Sequence, residues 1–162
     1  MSTLIPNENC WIGFATAMPA ASTLIPTPAE VAAAVPLTDM IISITANSQG
    51  NTVPTPKLSS LFETSIPGTS SAQFSAEMYR DSVAANDVAW TTLPRGTSGV
   101  FYISRFGGTG TGLLPIAADE VEVWPVIVTS RSASALSSNT AQTFTLTCSV
   151  PVPPNEGAVI SA

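Results

Sequence analysis

Two segments of this chain alternate apolar and polar residues with a period of two, and they are Ala72–Arg80 and Gln142–Val150. In the first segment, Phe74, Ala76 and Met78 are apolar, and the residues between them are polar. Successive side chains of a strand point to opposite faces of a sheet. Each segment is therefore predicted to be a strand with one buried face and one polar face.

Other segments rich in β-branched and aromatic residues are also predicted to be strands: Cys10–Ala15, Met40–Ala46, Lys57–Ile66, Val100–Arg105 and Glu120–Arg131. Pro125 lies inside the last of these and favours an edge position or a bulge. Asn47–Pro56 is predicted to be a long polar loop. Pro67-Gly68 is expected to end the strand that follows this loop.

Asn86–Leu93 is predicted to form a short helix, which Asn86 or Asp87 can cap and which Pro94 ends. The predicted fold is mainly β: an antiparallel sandwich or barrel with one short flanking helix and long loops. A single domain is expected to span residues 1–162, with an N-terminal arm (1–39) and a C-terminal tail (151–162).

The chain has no histidine, and five basic against eleven acidic residues give it a net charge of −6. The absence of histidine excludes catalytic triads that depend on it, histidine-ligated zinc and imidazole acid–base chemistry. The basic residues are scattered singly, whereas tight nucleic-acid binding requires clustered cations. Apolar runs are far shorter than the roughly 20 residues of a membrane span. No cofactor, membrane association or enzymatic activity is expected.

Two remaining features resemble binding or catalytic motifs only weakly. The glycine run Gly107–Gly112 lacks the lysine of a phosphate loop and opens no helix, so it is interpreted as a connection. Asp119, Glu120 and Glu122 form the densest acidic cluster. A glycosidase-type pair and a weak cation site are the alternatives there to a solvated strand face.

The cysteines and the N-terminus bear on location. Cys10 and Cys148 are too few for a disulfide scaffold or a four-ligand zinc site, and one disulfide between them stays open as an alternative. The N-terminal sequence lacks the charged and apolar regions of a signal peptide. The chain is therefore expected to stay in the cytoplasm where it is made, or to be assembled there.

Four segments after residue 86 carry motifs of a known family: Asp87–Gly99, Val100–Gly108, Asp119–Val126 and Ser138–Thr147. In order and spacing they resemble the major tail tube proteins of long-tailed, siphovirus-type phages, especially those that infect actinobacteria. The resemblance covers nearly half of the chain. The first 80 residues match in general character and not by motif.

This resemblance implies a β-sandwich subunit with one flanking helix. Six copies would close a ring, and rings would stack into a tail tube through which DNA leaves the capsid. It implies a structural virion protein without catalysis, with tape-measure and tail-tip or terminator proteins as partners. DNA would pass without specific binding. The acidic balance suits such a channel, because like charge keeps a polyanion from adhering.

The resemblance also directs attention to particular residues. Candidate channel-lining residues, chosen by polarity, lie on two predicted strands: Gln73, Ser75, Glu77, Glu120 and Glu122. Candidate contacts between subunits lie in the long predicted loop: Asn47, Gln49, Asn51 and Val53. The predicted arm and tail are further candidates for bridging neighbouring copies.

Two other classes of protein share this composition. One is a different virion β protein, such as a tail terminator, head–tail connector or capsid decoration protein, which would form one closed ring or a trimer. The other is a non-viral β-sandwich binding module, which would need an export signal. Stacking of identical rings is head-to-tail association that need not close. Growth of tubes would therefore distinguish a tail tube protein from the other virion proteins of the first alternative.

Overall fold

The alternating segments form strands, as predicted, in a computed structural model that describes residues 9–56, 64–135, 137 and 140–161. The strands within this part are β1 Trp11–Ala15, β2 Val35–Pro36, β3 Ile41–Thr55, β4 Thr64–Tyr79, β5 Ser98–Ser104, β6 Glu120–Ala133, β7 Thr143–Ser149 and β8 Asn155–Val159. The α-helices are α1 Pro28–Ala32 and α2 Val88–Thr92. The prediction of a mainly β, antiparallel fold is confirmed.

One antiparallel sheet contains these strands in the order β2-β1-β5-β6-β7-β4-β3, with β8 beside β6. The long strand β6 pairs with β5 up to Ile127 and with β7 from Ile127 onward. A register shift between Val128 and Ser130 marks a bulge, which bends a strand. Phe74 of β4 stacks on Phe101 of β5 at 4.7 Å, although β6 and β7 separate these strands in the sheet. The sheet therefore folds over itself into a sandwich.

Two apolar clusters hold this sandwich together. The first lies between its layers and includes Phe14, Phe74, Phe101, Trp124, Val126, Phe144 and Leu146. Helix α2 adds Ala89 to this cluster, and Leu93 follows it. The second cluster lies on the other face of β1, β5 and β6 and includes Trp11, Val100, Tyr102, Val121 and Val123. Val31 of α1 and Ile160 after β8 complete the second cluster.

The predicted loop over Asn47–Pro56 is wrong, because this segment continues β3 as far as Thr55. Strands β3 and β4 form one long hairpin, whose register runs from Ile41 opposite Met78 to Thr55 opposite Thr64. Pro67-Gly68 does not end a strand, since β4 passes through it. Residues 57–63 of the predicted strand Lys57–Ile66 lie outside the described residues. The outer hairpin is solvated on both faces, so its sequence needs no apolar alternation.

The described parts of the predicted arm and tail are not loose extensions. Strand β1 lies inside the sheet between β2 and β5, and Leu24 and Leu37 are buried. Strand β8 pairs with β6, and Ala158 and Ile160 are buried. Prolines in these segments mark the ends of short elements and do not prevent packing. Among the described residues, no helix is long and apolar enough to cross a membrane.

Pro125 lies in an interior strand, so of the two predicted alternatives, an edge position or a bulge, the edge position is wrong. Register shifts flank it in β6, between Val121 and Val123 and between Val128 and Ser130. Strand β8 pairs with β6 only as far as Val123, and β7 pairs from Ile127 onward. Pro125 therefore occupies a gap in the pairing on that side of β6, where a missing amide donor removes no ladder bond. The predicted helix is confirmed as α2, with a second short helix, α1, in the predicted arm. Asp87 is at the N-cap of α2, but its side chain makes no capping hydrogen bond, because its carboxylate accepts a hydrogen bond from Arg80.

Candidate functional site

The four strands β6, β7, β4 and β3 present a polar outer face. Their inward residues pack in the first cluster, so the period of two turns their alternate residues outward. This outward set is hereafter the hydroxyl face: Ser43, Thr45, Asn47, Gln73, Ser75, Glu77, Tyr79, Ile127, Ser130, Ser132, Thr143, Thr145, Thr147 and Ser149. Hydroxyl and amide groups dominate it, and Glu77 is its one charged member. Of the predicted channel-lining residues, the structure places Gln73, Ser75 and Glu77 here.

Glu77 lies in the middle of the hydroxyl face, with Ser43 of β3 on one side and Thr145 of β7 on the other. Its Oε1 atom accepts a long hydrogen bond of 3.4 Å from the Thr143 hydroxyl. Within the described residues, the ion pairs involve other carboxylates. The face thus carries one unneutralised negative charge and no positive charge. Such a surface stays wetted and has nothing with which to grip a phosphate backbone.

The other predicted lining residues, Glu120 and Glu122, are not part of this face. Glu122 lies on the same side of β6 as Trp124, and its Oε2 atom accepts hydrogen bonds of 3.0 Å from Arg105 Nη2 and from the Trp124 indole. The hydrogen bond to Glu122 raises the pKa of Arg105. Glu120 is exposed at the start of β6, opposite Val159 of β8. The structure does not bring the two predicted sets together.

The outer part of the β3–β4 hairpin extends beyond the rest of the sheet. Pairing between β4 and β7 stops at Gln73, so among the described strands residues 48–55 and 64–72 pair only with each other. This two-stranded segment, hereafter the ribbon, is almost entirely exposed and about 25 Å long at 3.3 Å per residue. Of the predicted contact residues, Gln49, Asn51 and Val53 lie on it and Asn47 lies at its base. Because isolated ribbons are marginally stable in water, this one is suited to packing against another molecule.

Two arginines stack on one tryptophan beside α2, a cluster that the sequence did not reveal. The guanidinium carbons of Arg80 and Arg131 lie 3.8 Å and 3.9 Å from the Trp90 ring centroid. Asp87 accepts a 2.8 Å hydrogen bond from Arg80, and the Trp90 carbonyl accepts one of 2.6 Å from Arg131. The partners are up to 41 residues apart in sequence, so no local motif marks them. The cluster fastens α2 to the ends of β4 and β6.

Two half-buried carboxylates, Asp119 and Glu30, hold loops in place through backbone hydrogen bonds. Asp119 accepts 2.8 Å hydrogen bonds from the backbone amides of Ile116 and Thr109, which lower its pKa. Glu30 accepts from the amides of Thr27 and Ala20, and these bonds lower its pKa in the same way. Across the part of the chain that the structure describes, no three acidic or cysteine side chains are grouped to hold a metal ion.

The two cysteines are free thiols, so the alternative of a disulfide between them is not realised. Cys148 lies on the apolar face of β7, as predicted. Burial raises the pKa of its thiol to about 12. A buried, protonated thiol is a poor nucleophile, so Cys148 acts as a small apolar residue of the core.

Comparison with known proteins adds a family and two structures. A family model described as "Phage tail tube protein" matches residues 2–162. A chain in the virion of a native gene transfer agent particle has a TM-score of 0.60 at 12% identity, with 98% of this chain and 100% of that chain covered. A chain in the tail of an empty gene transfer agent particle, refined with C6 symmetry, has a TM-score of 0.55 at 12% identity, with 97% and 100% covered. No curated protein matches the sequence.

Proposed function

This chain belongs to the phage tail tube protein family, and we propose that six copies of it close a ring and that rings stack into a tail tube. The chain is a structural subunit of such a tube. The six-fold ring is supported by the likeness to a chain of a tail with C6 symmetry, which spans 97% of this chain. The tube is the conduit through which DNA leaves the virion.

The hydroxyl face is the observation that carries this proposal, and we place it on the channel wall. A DNA conduit has to be wetted and has to release a polyanion along its whole length. A face of hydroxyls and amides without a cation meets both requirements. In a ring of six copies, Glu77 would add one carboxylate per copy to the wall. Gln73 and Ser75 flank it on β4, whereas Glu122 is engaged by Arg105 and is left out of the lining.

The free edge of β3 supports lateral contact within the ring. Strand β3 ends the sheet order and spans 15 residues from Ile41 to Thr55, none of which is charged. A long uncharged edge strand readily pairs with another chain unless something covers it. A neighbouring copy in the ring would cover this edge and continue the channel wall from one subunit to the next.

Further elements of the proposal rest on the sequence resemblance. They are a siphovirus-type phage, an actinobacterial host, assembly in the host cytoplasm, and tape-measure and tail-tip or terminator proteins as partners. DNA passes through the tube without specific binding. Catalysis and a cofactor form no part of the proposal.

Cysteine labelling of assembled tubes tests where the hydroxyl face lies. In a Cys10→Ser background, Gln73→Cys and Thr145→Cys each place a thiol on that face. Ala117→Cys places one on the exposed loop before β6, which is hydrogen-bonded through Ala118 to Ile160 of the second cluster. In tubes, the two hydroxyl-face thiols are expected to react with a small maleimide but not with a maleimide on a large polymer. Ala117→Cys is expected to react with both, and every variant should react with both as free subunits. Equal reaction of all three thiols with the polymer in tubes would overturn this placement.

A further inference from the structure

The ribbon presents two exposed β-branched residues directly opposite each other. Val53 of β3 pairs with Ile66 of β4, and these residues are 48% and 54% exposed. The adjacent rungs, which turn to the other side of the ribbon, pair Thr52 with Pro67 and Pro54 with Ser65. The described residues of the ribbon carry no charge. One side of the ribbon therefore bears a compact apolar knob, and none of the described ribbon residues beside it is charged.

An apolar groove of about 380 Å³ lies on the body of the molecule, between the end of β1, α1 and α2. Its apolar lining consists of Phe14, Ala15, Ala17, Ala29, Ala33 and Val35. Thr16, Thr92 and Glu30 are its polar members, and the Glu30 carboxylate is already engaged by backbone amides. The volume is that of a small-ligand pocket, and the alanines leave room for branched side chains from another molecule.

The knob and the groove lie towards opposite ends of β4. The ribbon begins where β4 stops pairing with β7, at Gln73. Helix α2 borders the groove, because its residue Thr92 is part of the lining. The same helix packs near the other end of β4, where Trp90 contacts Phe144 with ring centroids 5.1 Å apart. Phe144 lies opposite Met78 of β4. A knob at one end and a groove at the other suit head-to-tail contact between copies, which can repeat without closing.

We propose that the Val53–Ile66 pair of one copy seats in the apolar groove of a copy in the next ring. The inference rests on the proposed tube and specifies which surfaces join its rings. Burial of two half-exposed branched side chains in each of the contacts around a ring would hold the rings together. The partner is thus a second copy of this chain, and the contact is apolar.

A disulfide trap tests the contact directly. Val53→Cys and Ala33→Cys are combined in a Cys10→Ser background, assembled into tubes, oxidised and separated on denaturing gels. The expected result is a covalent ladder that extends beyond six chains, because the contact runs from ring to ring. Each single variant, assembled and oxidised in the same way, should give no ladder.

A second measurement does not depend on assembly of the cysteine variant. Val53→Thr with Ile66→Thr keeps the β-branched shape but makes the knob polar, and should raise the critical concentration for tube growth about tenfold or more. Ser65→Thr, on the other side of the ribbon, is the matched control and should leave it unchanged.

The outcomes separate the contact from the tube itself. A ladder that stops at six chains, or tubes without any cross-link, would overturn the contact and leave the tube intact. An unchanged critical concentration for the double threonine variant would overturn it as well. Failure of the wild-type chain to form rings or tubes at any concentration would count against the tube and, with it, against this contact.

Discussion

Replacement of Phe74 by alanine tests whether the sheet folds over itself. Phe74 is 1% exposed, and its ring lies 4.7 Å from Phe101 and 6.0 Å from Trp124 between centroids. Both partners belong to the opposite layer of the sandwich. Removal of a buried phenylalanine ring costs about 3–5 kcal/mol, since apolar contacts are lost and a cavity remains. The free energy of unfolding is therefore expected to fall by about 4 kcal/mol.

Phe106→Ala is the matched control, because it makes the same chemical change at a residue that is 68% exposed. Its unfolding free energy should change by no more than about 0.5 kcal/mol. Urea denaturation of unassembled subunits measures both variants, and with a slope near 2 kcal/mol/M the midpoint for Phe74→Ala should fall by about 2 M.

Equal shifts for the two phenylalanine variants would refute the folded-over sheet. A loss below about 1 kcal/mol for Phe74→Ala would refute it too, since a solvated ring in an open sheet would lose that little. If Phe74→Ala does not fold, Phe74→Leu provides the measurement. Leucine leaves a smaller cavity than alanine, so the free energy of unfolding of Phe74→Leu should lie below that of the wild type, by less than the loss of about 3–5 kcal/mol expected for alanine.

Three further predictions concern other parts of the molecule. Arg131→Gln removes a cation from the Trp90 ring and a hydrogen bond to its carbonyl, and should lower the unfolding free energy by about 1–2 kcal/mol in urea denaturation; an unchanged midpoint would contradict it. The folded-state pKa of Asp119 is lowered, so its stabilisation of the adjoining loop is present above the ordinary pKa of 3.8 and is lost as pH falls through the lowered value. Hydrogen exchange of that loop should accelerate in acid, and Asp119→Asn should abolish the pH dependence. Cys148 is buried with a pKa of about 12, so a thiol reagent at pH near 8 should label Cys10 alone until the protein is unfolded; labelling of two thiols in the folded chain would contradict this.

The strands with a regular alternation were predictable from sequence, since one face of each had to be apolar. Phe74, Ala76 and Met78 point inward as predicted, and so do the apolar residues of Gln142–Val150. The outer half of β3 gave no such signal. Its residues are solvated on both faces, so polar strand and polar loop have the same composition there.

Contacts between segments that are distant in sequence could not be predicted either, because no local pattern marks them. The Arg80–Trp90–Arg131 cluster and the placement of β8 beside β6 depend on tertiary packing. The candidate lining was predicted by polarity, which selects Glu77 and Glu122 equally. Only the position of Glu122 beside Trp124 and Arg105 separates them.

Electron microscopy of the purified chain across a concentration series, with helical reconstruction of any tubes, tests the central claim most directly. The account predicts hollow tubes of constant diameter, built from rings of six copies, with the hydroxyl face and Glu77 on the channel wall. Single closed rings or trimers that never stack at any concentration would contradict it, and so would tubes that carry the hydroxyl face on their outer surface.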